Sequence, residues 1–467
     1  MLARLARIQQ YTSLRFAEDS TDAGAKTLLV KAQELEVDVV SLFVWTNIEL
    51  CGLEQRAFDA LASLPELAAY RHWMLHTRQG CEHLLSEKEE SLMAHRDLSG
   101  KLALCKLYSE LNSSFEYKMT VDGQRRVLKG SQLEATRESP DLHLCHRSQE
   151  VRLSAFAKNG LMLTGLYNGL LKDYQVEYEV RSYKNAIGPR DMFNELSDDI
   201  VDALSEVTSA NTDMVERYYR LKACMLGVPR LNLADIYAPI GGAEKRYTWL
   251  EARSIVLAAY NEFDPRAGKL VGEFFERGWI HAATDSHKRG GAFCSGADPG
   301  LPPYVMLTFS GTARNVETLA HELGHGLHGR LAGERQTILS FHPVMPMAGV
   351  ASIFDEMLVT QEMLWHITDP AEKCALYCRK LEESFAKSQR QNMFHRFELR
   401  THALAPDHQL SKQELDCIYH EELNNMFHGS VTIPWSFDGE WLAIHHIFLY
   451  PLCARIDHSS TPRTSPL

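Results

Sequence analysis

Thr318-Leu-Ala-His321-Glu322-Leu-Gly-His325-Gly-Leu-His328 is the stretch on which the reading of this chain turns. Val316, Leu319, Ala320, Leu323 and Leu327 recur at helical spacing and make one apolar face. His321 and His325 are four residues apart, so they stand one above the other on a different face. Two imidazoles so placed reach one tetrahedral zinc ion. Glu322 beside them can accept a proton from a water held there. An amphipathic helix with two satisfied histidines carries the same pattern, so the neighbouring stretches decide between the two.

The chain has 467 residues, 45% of them hydrophobic and 24% charged, which is the composition of a soluble globular protein with ample core material. Its formal net charge of -12 argues against nucleic acid and anionic membrane surfaces as partners. No apolar run reaches the length of a membrane span. The ten cysteines include no C-x-x-C pair and are too sparse for a disulfide framework, so reduced thiols and a cytoplasmic location are expected. The N-terminus lacks the apolar core of a secretory signal and reads as a helix with Leu2, Leu5 and Ile8 facing inward.

Residues 1 to about 112 read as long helices, one over 25–45 and another capped by Ser86 with Glu89. From Phe115 the period drops to two, and Asp122-Gly123 marks a hairpin turn before a return strand at 126–128. Helices resume over about 149–227 and over 248–282, with a break at Asp264-Pro265. A glycine- and proline-rich loop, 288–303, then runs through a strand at 304–309 into the histidine helix. An exposed strand edge there can pair with an extended peptide, and Gly291 and Ala292 can let a substrate backbone approach closely. Further helices are expected over 348–366 and 371–403, and Ser411 with Glu414 caps one more. The expected organisation is an N-terminal helical region, 1–148, with a hairpin near 115–128, a catalytic region, 149–455, and a disordered tail, 456–467.

Gly291-Ala-Phe-Cys-Ser-Gly, Pro302-Pro-Tyr-Val, Thr318-Leu-Ala-His-Glu-Leu-Gly-His and Ala348-Gly-Val-Ala-Ser-Ile-Phe-Asp-Glu together resemble the oligoendopeptidase F and thimet oligopeptidase family of zinc metallopeptidases. Asp235-Ile-Tyr-Ala-Pro, Phe394-His-Arg-Phe-Glu and Trp441-x-x-Ile-His-His look like further landmarks in the family's order, so the resemblance runs to about Pro451. It implies a mostly α, two-lobed helical body around a substrate channel, with a small β element next to the zinc helix. It also implies one zinc per chain on His321 and His325, Glu322 as general base, and short unfolded peptides as substrates. Asp355 and Glu356 are placed to accept the outer N–H of a zinc-bound histidine. His446 matches the family histidine that helps hold the oxyanion.

Two departures divide the functional expectation. The family's third zinc ligand is the glutamate of Ala-Glu-Val-Ala-Ser, and the matching residues here are Ala348-Gly349-Val350-Ala351-Ser352. After His446 the family's tyrosines, which would stabilise an oxyanion, give way to Phe448, Pro451, Leu452, Cys453 and Ala454. Tyr450 is the hydroxyl that remains, and the chain is expected to be short of the family at both ends. One reading is a zinc-dependent metalloendopeptidase. The alternative is a degenerate member that holds zinc weakly and only binds peptides.

Overall fold

Helix-forming runs separated by capping residues, glycine and proline dominate the chain. The structure, a computed structural model, is correspondingly mostly α-helical, with three small sheets among the described residues. It describes residues 1–452 apart from Asp122, Glu138, 242–244 and Ser286. The first residue of the expected Asp122-Gly123 turn, Cys453, Ala454 and the tail at 456–467 therefore lie outside the described residues. The chain packs as two compact units. One comprises Met1–Ala94 and Ala243–Thr368, the other His95–Gly242 and the described residues from Asp369 onward. Among the described residues no helix is long and apolar enough to cross a membrane.

In the second unit the period-two stretch forms the expected hairpin. Tyr117–Val121 pairs antiparallel with Gln124–Leu128. Tyr117, Met119 and Leu128 are buried, and Gly123 takes a φ of +73°, the left-handed turn geometry that glycine supplies without strain. Helix Gly160–Val180 buries Leu163, Tyr167 and Leu170 in a core shared with Phe397, Tyr419, Trp441 and Phe448. The long run expected over 371–403 is helix Pro370–Phe385, a π turn at Ala386–Arg390, and helix Gln391–Leu404. Ser411 and Glu414 form the expected capping box.

In the first unit Thr312 and Asn315 cap helix Ala313–Gly333 reciprocally. Val316, Leu319, Ala320, Leu323 and Leu327 are all buried, as their spacing requires. Helix Met345–His366 lies against it. The contact is close because Gly324 has no side chain: a Cβ there would stand 2.7 Å from Asp355 Oδ2 and 2.9 Å from Ser352 Cα. Beside the pair is a three-stranded sheet in the order Ile280–His281, Tyr304–Met306, Phe293–Ser295, the last pairing antiparallel at an edge. Lys288 ties the loop before that edge strand to the sheet. Its Nζ donates to the carbonyls of His281 (3.0 Å), Ala283 (3.0 Å) and Leu307 (2.6 Å).

Three expectations are corrected. The helix expected over 25–45 is two, Ala23–Ser41 and Val44–Gly52. In helix Leu2–Glu18, Leu5 is buried but Ile8 is 43% exposed, and Gln10 and Thr12 take inward positions instead. Gln10 is held there because its Nε2 donates to Ser295 O at 2.7 Å, at the end of the edge strand. Third, the cysteines are not all reduced. Cys51 and Cys81 form a disulfide with Cα atoms 5.4 Å apart, although 30 positions separate them. The packing of Val44–Gly52 against Arg71–Gln79 brings them together over a small cluster of Leu50, Phe58, Ala62 and Met74. Cys374 and Cys378 remain thiols, as expected.

Gly324→Ala is expected to destabilise the chain by about 1–3 kcal/mol, because the new methyl has nowhere to go without parting the two helices. A lower thermal midpoint measures it. Reduction, or Cys51→Ser with Cys81→Ser, should destabilise the first unit by about 3–4 kcal/mol, the scale of closing a loop of this length. The check is thiol counting alongside melts with and without reductant.

Candidate active site

The i, i+4 spacing puts the rings of His321 and His325 5.0 Å apart, centroid to centroid, and nearly perpendicular at 82°. Both are half-buried, while Glu322 between them is only 3% exposed. One face of helix Met345–His366, with residues 349, 352 and 356 about one turn apart, points at this helix. Glu356 Oε2 lies 3.2 Å from His321 Nδ1. A carboxylate on Nδ1 fixes the ring and leaves Nε2 as the outward donor atom, the arrangement that orients metal-binding histidines elsewhere.

Asp355, the other carboxylate singled out in the sequence, sits against Gly324. Burial pushes its carboxyl up to about 7, while the Tyr260 hydroxyl and His321 pull it back. Tyr260 carries no sequence signal. It lies on the neighbouring helix Trp249–Phe263, fully buried, and its hydroxyl also donates to Ala320 O at 3.3 Å. Cys294 of the edge strand was likewise not singled out. Burial and the nearby Glu322 carboxylate push its thiol well up, which sets the strand beside that buried glutamate. Gly291, exposed and at a φ of +89°, and Ala292 precede that strand directly.

The structure thus brings His321, Glu322, His325, Asp355 and Glu356 together, with Gly291 and Ala292 on the adjoining loop. His446 and Tyr450 belong to the other unit, in and just after helix His445–Leu449. Gly349 is buried within Met345–His366.

A zinc ion held for catalysis takes three protein donors. The two imidazoles suit it, but Gly349 offers none. Ser352, one turn on, uses its hydroxyl within its own helix, donating to Gly349 O at 3.2 Å and Ala348 O at 3.4 Å. His342 is exposed, with its ring against Phe341. Among the described residues no group of three His, Cys, Asp or Glu side chains could hold a metal ion. The donor set does not fit a firmly held zinc.

Known proteins give the arrangement its context. Residues 257–451 match Peptidase family M3, and residues 49–117 match Oligopeptidase F. The chain is 24% identical to oligopeptidase PepF of Bacillus subtilis over 462 residues, covering 96% of this chain and 68% of that one. It is 24% identical to group B oligopeptidase PepB of Streptococcus agalactiae, covering 95% and 74%. In fold it is similar to oligoendopeptidase-F from Enterococcus faecium, with a TM-score of 0.71 at 19% identity over 97% of this chain and 76% of that one. PZ peptidase A, solved with an inhibitor, gives 0.72 at 17% over 95% and 77%. Two separate family matches and relatives aligned along nearly the whole chain agree, and the chain is a member of peptidase family M3, of the oligopeptidase F kind.

Proposed function

We propose that this chain binds short unfolded peptides and hydrolyses them weakly, because its side chains supply only two of the three donors that a firmly held zinc needs. Gly349, buried on the helix face it shares with Ser352 and Glu356, is the observation that carries this reading. Loss of a charged ligand costs more than the roughly 10–100-fold typical of residues that only support a ligand.

The remaining groups keep their chemistry. Peptide backbone would lie along Gly291, Ala292 and the edge strand Phe293–Ser295, whose far end is already fixed by Gln10. Glu322, buried and beside both imidazoles, would take the proton of an attacking water and return it to the leaving amine. The resemblance assigns His446 to the developing oxyanion, and Tyr450, the hydroxyl that remains, is assigned to substrate binding. A second reading, a fully zinc-loaded endopeptidase, is favoured by the retained Glu322 and by the Glu356 contact to His321 Nδ1.

Zinc content after dialysis and cleavage of a quenched fluorescent peptide separate the two. The chain as given is expected to hold well under one zinc and to cut slowly. Gly349→Glu should hold one zinc per chain, bind it at least about 100-fold more tightly, and cut faster. One firmly held zinc in the unaltered chain would overturn the proposal in favour of the second reading. Glu322→Ala should lower whatever cleavage is present by about 10²–10⁴-fold. An unchanged rate would remove Glu322 from the reaction.

A further inference from the structure

In the second unit, Arg390, Phe394 and Glu398 follow one another at four-residue steps along the π turn and helix Gln391–Leu404, so they lie on one face. Each meets a residue of the C-terminal segment, and those partners, 440, 446 and 452, follow at six-residue steps. Arg390 Nη2 donates to Glu440 Oε2 at 2.8 Å, with both side chains buried, and the same oxygen accepts from the Tyr419 hydroxyl at 3.0 Å. The Phe394 ring packs on the His446 ring at 5.0 Å between centroids and 63° between planes. Glu398, fully buried, accepts the backbone N–H of Leu452 at 2.7 Å. The guanidinium of Arg390 also sits over the Phe394 ring at 5.2 Å, joining the first contact to the second.

Leu452 shows what this arrangement opposes. It has a φ of +56°, which a leucine adopts only when its surroundings hold it there. Glu398 holds its N–H, Arg190 Nη2 reaches Pro451 O at 3.4 Å, and the side chain is 2% exposed. Burial pushes the Glu398 carboxyl up to about 8, with the Leu452 N–H and Arg190 pulling it back. His446 is the second contact, and between it and the third lies Tyr450, which closes the short helix with its N–H on His446 O at 2.8 Å. The π turn adds a residue to the helix beside the first contact, a distortion that often accompanies functional sites.

We propose that this helix face is a three-point clamp, with Arg390, Phe394 and Glu398 as positioning residues that set where His446 and Tyr450 stand. The proposal rests on the reading of those two residues as part of the reacting site. Glu398→Leu removes the last contact, and Glu398→Gln keeps an acceptor for the same N–H. NMR of the full chain, with the ring signals of His446 assigned through His446→Ala, reads the outcome. Glu398→Leu is expected to speed exchange of the Leu452 amide by roughly 10–100-fold and to shift the ring signals and titration midpoint of His446. Glu398→Gln should restore both. If Glu398→Leu does not fold, Phe394→Leu tests the middle contact, with His446 expected to shift and Leu452 exchange unchanged. His446 signals unmoved in the folded variants would overturn the clamp. Peptide cleavage in excess zinc is expected to fall in His446→Ala. If it stays level, the role assigned to His446 fails, while the NMR result still stands on its own.

Discussion

A missing methyl group governs the spacing at the centre of the first unit. With no Cβ on Gly324, helix Met345–His366 approaches helix Ala313–Gly333 until the Ser352 backbone and the Asp355 carboxylate fill the space. That approach puts Glu356 on His321 Nδ1 and buries Asp355 under Tyr260. The orientation of an imidazole is thus set by backbone packing one turn along the same side of its own helix. Tyr260 reinforces the geometry from a third helix through Ala320 O.

The second buried glycine in this contact has a different effect. Gly324 gains its value from closeness, whereas Gly349, buried in the facing helix, brings no side-chain donor to the histidines. Two imidazoles leave a dication's charge uncompensated, and the carboxylates that the facing helix supplies are engaged elsewhere. Glu356 is engaged with His321, and Asp355 is pushed by burial toward its neutral form.

What could be read from sequence was whatever repeats locally. Leu319, Leu323 and Leu327 announced their buried face by period, Ser411 and Glu414 their helix start, and Tyr117 and Met119 their strand by alternation. The helix face shared by His321 and His325 followed from the same rule. Tertiary pairing was not legible. Gln10 displaced Ile8 from the inner face because a strand carbonyl, 285 positions away, needed a donor. Cys51 and Cys81 meet because two helices pack, a fact neither cysteine's neighbours encode. Nothing around Ala386–Arg390 marked a π turn, and Tyr260 and Cys294 became site neighbours only through folding.

The bond between Cys51 and Cys81 ties the shape of the N-terminal segment to the chemistry of the medium in which the chain folds. The apolar cluster beneath it, Leu50, Phe58, Ala62 and Met74, is small for the 30-position loop it has to organise. Where glutathione keeps thiols reduced, that segment depends on those four side chains, their half-buried neighbours and hydrogen bonds such as those from Arg78 to the Leu50 and Cys51 carbonyls. In an oxidising medium the cross-link does the same work without any further packing. The cellular compartment thereby acts as an additional determinant of this part of the fold.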